Sequence, residues 1–181
     1  MAGNRTTVGV VQRKVGFEFE DAHWRVWQKR PVNPGPGQEV LAVDRKDKVH
    51  NGTGFDLEAD DTLGPAQPSL EFVTVPFDEN AGGQAALSTA LAEMGQIVMG
   101  QLGPNQGKRG PGAGALPQPY VAGDYVDSTT HQLNGGDFAA ADVLFSAGDS
   151  AGKFKMQATM STDLPQMAKA MTYFGSQIQG E

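Results

Sequence analysis

From Val15 to Glu20 the chain reads V-G-F-E-F-E, an alternation that suits an extended strand and no helix. Strand side chains point to opposite faces with a period of two, so Phe17 and Phe19 share one face while Glu18 and Glu20 share the other. That pattern asks for a sheet with one buried side. His23 to Gln28 alternates again, with Trp24, Val26 and Gln28 together. It either continues the strand past a bend near Asp21 or returns as its neighbour. Trp24 and Trp27 then fall on opposite faces, where core packing is the ordinary role of a tryptophan.

Turn chemistry at Asn33–Gly37 (N-P-G-P-G) ends this region, because proline fixes φ and glycine takes conformations that other residues avoid. Strands are expected at Glu39–Asp44 and Phe55–Asp60, separated by R-K-D-K and H-N-G-T-G. The clearest strand in the chain is L-E-F-V-T-V-P-F at Leu70–Phe77, rich in β-branched and aromatic residues. Leu87, Leu91, Met94, Val98 and Leu102 recur at helical spacing, which predicts a helix over about Asn80–Leu102 with Asp78 or Asn80 as its N-cap. Gly103–Gly136 reads as a long loop or lid, with a hint of order only at Pro119–Asp127, and Asp137–Phe145 reads as a short helical turn. Lys153–Met160 alternates as a final strand, with Lys153, Lys155, Gln157 and Thr159 on its polar side. Thr162 or Asp163 would cap a last helix carrying Leu164, Met167, Met171 and Phe174. The expected fold is α+β: a mainly antiparallel sheet with helices packed on one face, in a single domain over 14–181 behind a flexible leader, 1–13.

With 181 residues, one hydrophobic core is the natural organisation. A formal charge of -7, from 21 acidic and 14 basic residues, disfavours the broad positive surface that nucleic acid selects. No stretch has the run of apolar residues that a membrane span needs. The chain has no cysteine, which removes disulfides, thiolate metal sites and cysteine nucleophiles. The three histidines, His23, His50 and His131, lack metal-binding spacing. His50 sits at a turn, where it is either a surface residue or a proton carrier for a nearby cleft.

The informative feature is acid inside strands. Glu18 and Glu20 share a face, Glu58 shares one with Asp56 and Asp60, and Glu71 interrupts an apolar strand. Carboxylates of this kind are costly in a core or cleft unless paired or bound to metal. If the three strands are neighbours, these oxygens suit Mg²⁺ or Mn²⁺, hard cations that typically bridge carboxylates and phosphates. The same alternation also describes a sheet whose acidic side is simply solvated.

Three segments carry a resemblance: G-F-E-F-E at Gly16–Glu20, D-L-E-A-D-D-T at Asp56–Thr62, and L-E-F-V-T-V-P-F at Leu70–Phe77. Together they resemble the motifs of the carboxylate-amine ligases, the amidoligase group related to glutamine synthetase and glutamate-cysteine ligase. The resemblance implies a glutamine-synthetase-like antiparallel sheet and an ATP- and Mg-dependent reaction in which a carboxylate is activated as an acyl phosphate and an amine displaces the phosphate. It implies Glu18, Glu20, Glu58 and Glu71 as metal ligands, with Asp60 and Asp61 as alternates to Glu58. Gln157 and Thr159 are similar to a Q-x-T strand of divergent members, which places Lys155 and Gln157 beside the nucleotide. Typical members bring a histidine and arginines from a C-terminal half, a role left here to Lys108 and Arg109 in the glycine-rich segment, although G-K-R-G lacks the spacing of a Walker loop.

The same signature, preceded by Val11-Gln12-Arg13, is similar to cargo or effector domains of contractile injection systems. That likeness implies a protein cytoplasmic in its producer and delivered to a target cell, with the particle as a partner. Three functions follow as expectations: an ATP-dependent amide-forming ligase, an inactive or truncated cargo or binding module that keeps the sheet, and a metal-dependent toxin with altered chemistry.

Overall fold

The computed structural model describes residues 13–60, 69–102, 118–127, 133, 135–147 and 154–161. Strands β1 (Lys14–Pro31), β2 (Gln38–Ala42), β3 (Lys48–Gly52), β4 (Phe55–Asp60), β5 (Ser69–Thr74) and β6 (Phe77–Asp78) precede helix α1 (Ala81–Leu102). After it come β7 (Gln118–Pro119), β8 (Val126–Asp127), a 3₁₀ turn at Ala140–Asp142, β9 (Val143–Ala147) and β10 (Lys155–Ser161). Among the described residues, all ten strands join one sheet with the path β3-β4-β5-β1-β2-β7, and every pairing is antiparallel. The architecture is therefore mixed α+β and dominated by antiparallel sheet.

The two alternating segments near the N-terminus are one 18-residue strand, β1, which pairs with β2, β5, β6, β9 and β10. Its register against β5 shifts between Asp21 and Arg25. Such a bulge inserts residues that the partner does not match, so the phase of the alternation changes across it. Phe19 therefore reaches the main core from an odd position, whereas Trp24 and Val26 reach it from even ones. By the same phase change, Glu18 and Glu20 before the bulge share the opposite face with Arg25 and Trp27 after it.

α1 closes the apolar side. Its Ala90, Met94 and Ile97 are buried with Trp24, Phe55, Leu57, Leu70, Phe72 and Phe145. Trp24 is the hub, with ring centroids 5.5 Å from Phe145 and 5.9 Å from Phe72, and Phe154 edge-on at 6.2 Å. Burying each such side chain contributes about 1.5–3 kcal/mol. The helix starts where Asn80 Oδ1 accepts the Gly83 N–H at 2.9 Å, so Asn80 is the cap. A smaller cluster of Trp27, Val40, Tyr125 and Leu144 forms apart from the main core.

Two expectations change. Asp137–Phe145 is only partly a helical turn: the 3₁₀ segment is three residues long, and V-L-F-S-A then enters the sheet as β9 beside β1. The connection between the strands expected at Glu39–Asp44 and Phe55–Asp60 is itself partly strand, β3 at Lys48–Gly52, while within Gly103–Gly136 the order expected at Pro119–Asp127 takes the form of β7 and β8. The leader up to residue 12, the segment 103–117 and the expected last helix lie outside the described residues. Among the described residues, no helix is long and apolar enough to cross a membrane.

Candidate functional site

Strand register gathers the acidic residues. Glu20 on β1 lies opposite Glu71 on β5, and Glu71 lies opposite Glu58 on β4. The row continues outward to Lys155 on β10 and Lys48 on β3. Directly opposed residues in a ladder point to the same side, so one row carries Lys155, Glu20, Glu71, Glu58 and Lys48. The neighbouring row carries Gln157, Glu18, Val73 and Asp56. Six residues named from the sequence, Glu18, Glu20, Glu58, Glu71, Lys155 and Gln157, thus share one face. Lys108, Arg109 and Asp61 lie outside the described residues.

Within this face the carboxylates converge on an ammonium. Lys46 Nζ lies 2.7 Å from Glu71 Oε2, 3.2 Å from Glu58 Oε1 and 3.8 Å from Asp60 Oδ1. The loop holds it there through the backbone: Lys46 N–H donates to the Ala59 carbonyl at 2.7 Å, and Ala59 N–H donates to the Asp47 carbonyl at 3.0 Å. Lys46 adopts φ of 68°, a left-handed conformation that costs an L-residue about 1–2 kcal/mol. Arg45 Nε pairs with Asp60 at 3.0 Å and Lys48 Nζ with Asp56 at 2.5 Å.

The two partners of the central pair differ in environment. The Glu71 side chain is 5% exposed and that of Lys46 is 48% exposed. Burial pushes the Glu71 carboxyl above its ordinary range, and Asp60 and Glu18 add to this, while the Lys46 hydrogen bond and charge oppose it. Burial works against the Lys46 ammonium, but its bonds to Glu71 and Glu58 outweigh that and hold its pKa above the usual lysine value. The pair strengthens the charge on Lys46 without fully offsetting the desolvation of Glu71.

A pocket of about 330 Å³ opens beside Glu18, lined among others by Lys14, Gly16, Val73, Pro76 and Thr159. Its volume is at the small end of the range for ligand sites. Gly16 of G-F-E-F-E lines it, and a Cβ there would meet nothing closer than Thr74 O at 3.8 Å, an ordinary contact distance. Thr74 Oγ1 accepts the Phe17 N–H at 2.7 Å and steadies this end of β1.

His50 is neither a surface turn residue nor a member of the acidic face. It is buried on the helix side, opposite Leu57 in register, with Nε2 3.4 Å from Glu93 Oε1 and its ring 5.8 Å from Phe55. Trp27 uses its indole N–H structurally, donating to Ser146 Oγ at 2.9 Å. Lys46 had no sequence signal beyond a charged turn, because nothing in R-K-D-K tells which lysine turns back over the sheet.

The oxygen donors suit a hard cation in kind. In position, no group of three or more histidine, aspartate or glutamate residues among the described residues is gathered closely enough to hold a metal ion. Lys46 takes the place between Glu58, Asp60 and Glu71 that a cation would need. No protein family, curated protein or solved structure matches the chain.

Proposed function

We propose that this chain is a ligase-type domain of the carboxylate-amine class, built on a glutamine-synthetase-like sheet whose acidic face receives ATP with Mg²⁺ or Mn²⁺. The observation that carries the reading is the row Glu20–Glu71–Glu58 with Glu18 one row away. Three motifs far apart in sequence deliver their carboxylates to one face of three adjacent strands, as the resemblance implies. Glu18, Glu20, Glu58 and Glu71 would hold the divalent ion, which supplies neutralisation of phosphate charge when bound. Lys155 and Gln157 border the same face, and the pocket beside Glu18 gives a small carboxylate or amine substrate a place next to the carboxylates. Lys46 must withdraw for the ion to enter, and its 48% exposed side chain on a loop is free of the packing that would forbid this. Delivery to a target cell as injection-system cargo is compatible with this reading.

One observation favours a second reading. Lys46 already balances the buried charge, so the face could serve a cargo or binding module with no nucleotide. Titration calorimetry of MgATP into the chain, Glu20→Gln and Glu71→Gln separates the two. The ligase reading requires binding by the unmodified chain that falls at least tenfold in both variants. Equal or absent binding throughout supports the module.

A further inference from the structure

Arg25 is the only lysine or arginine among the described residues that is buried, at 8% exposure. It follows the β1 bulge and lies opposite Ser69 on β5 and Ser146 on β9. Its guanidinium therefore rises from the acidic face, between two buried serines and beside the row of Asp60, the residue opposite Ser69. Asp21 attracts the charge, yet Nη1 is out of contact with solvent and finds no hydrogen-bond acceptor among the described residues. Burial lowers the Arg25 pKa, with Asp21 opposing that effect. A buried charged donor with no acceptor is costly, and native structures rarely keep one without a purpose.

The neighbouring polar groups show what would complete it. Ser146 Oγ accepts from Trp27 Nε1, which leaves the serine hydroxyl proton to donate. Ser69 Oγ donates to the Asp60 carbonyl. The missing partner of Nη1 is an acceptor, and a guanidinium fork with a nearby hydroxyl matches a tetrahedral oxyanion. We propose that Arg25 is an anion-binding residue that holds a phosphate group at the inner end of the acidic face. Four residues of β5 separate its row from that of Glu18, roughly 13 Å at strand spacing, a span that places the anion and the Glu18 pocket at opposite ends of one extended ligand. This deepens the proposed nucleotide site and rests on that reading only for identifying the anion as part of a phosphate chain.

The test uses the full chain and inorganic pyrophosphate without Mg²⁺ or ATP, at constant ionic strength with chloride as the control. The unmodified chain should bind pyrophosphate and melt at a higher temperature in its presence. Arg25→Met should lose at least tenfold in affinity; it also leaves the buried Asp21 carboxylate without the Arg25 cation, so its folding is checked by circular dichroism first. Arg25→Lys, which keeps the charge without the fork, should bind several-fold more weakly and carries the test if the methionine variant does not fold. Because pyrophosphate is offered without Mg²⁺ or ATP, failure of MgATP binding and failure of the Arg25 site are read separately. Equal affinity in the Arg25 variants, or no response beyond chloride in the unmodified chain, overturns the inference.

Discussion

Glu20 and Glu71 stand directly opposite each other across the β1–β5 ladder, and Glu71 is again opposed by Glu58 across β5–β4. Like charges in directly opposed positions destabilise a sheet. Glu20 is also directly opposed by Lys155 on β10, so replacing it by Gln keeps the shape and removes one repulsion and one attraction. Urea melts of Glu20→Gln should therefore show a change of less than about 0.5 kcal/mol. A loss of more than about 1 kcal/mol would mean that the Lys155 pair outweighs the repulsion from Glu71.

The Lys46–Glu71 pair should respond unequally to loss of either member. Lys46→Met leaves a buried carboxylate without its cation, which costs about 3 kcal/mol when the charge stays uncompensated. Glu71→Gln leaves a half-exposed ammonium that still has Glu58 and Asp60, so stability should change by less than about 1 kcal/mol. Because the folded pKa of Lys46 is raised, its contribution is complete below the ordinary lysine value of 10.5 and disappears as pH rises through the folded value. Chemical denaturation between pH 9 and 12 should therefore show a steeper loss in the unmodified chain than in Lys46→Met.

Glu93 gives the opposite sign. Burial raises its pKa, but the Thr53 N–H bond at 3.0 Å and His50 outweigh that and leave it below the ordinary value of 4.5. Its contribution is present above that value and is lost as pH falls through the depressed folded value. Glu93→Gln should cost about 1 kcal/mol at neutral pH. Its acid limb below about pH 4.5 should be shallower than that of the unmodified chain.

Ser146→Ala tests the junction of β1 and β9. It leaves the buried Trp27 indole N–H without the acceptor now 2.9 Å away, a loss of about 1–3 kcal/mol. Thermal melts followed by tryptophan fluorescence would report it. A change below about 0.3 kcal/mol would show that another acceptor replaces the serine.

Much of this architecture is legible in the sequence because burial and period coincide. F-D-L-E-A-D alternates buried and half-buried without error along β4, whereas in α1 the expected stripe holds at Met94 but fails at Leu91, which is exposed while Ala90 and Ile97 are buried. L-E-F-V-T announces a strand through its β-branched and aromatic content. The convergence of Glu18, Glu20, Glu58 and Glu71 follows from strand adjacency, which the motifs suggested and spacing alone did not. The bulge after Asp21 hides because alternation looks equally regular on either side of it. V-L-F-S-A is a short apolar run whose period does not distinguish a buried strand from a helical turn. Lys46 depends on a left-handed residue in a charged turn, and Arg25 on a register shift. Both are products of tertiary structure with no local pattern to reveal them.

The proposed function stands on the acidic face receiving a nucleotide with a divalent cation. The thermal midpoint measured alone, with Mg²⁺, with ATP, and with both, tests it most directly, because a ligand that binds only the folded chain raises apparent stability. The midpoint should rise only with Mg²⁺ and ATP together, and the rise should vanish in Glu71→Gln. An unchanged midpoint under all four conditions, in the unmodified chain and in Lys46→Met alike, would contradict it.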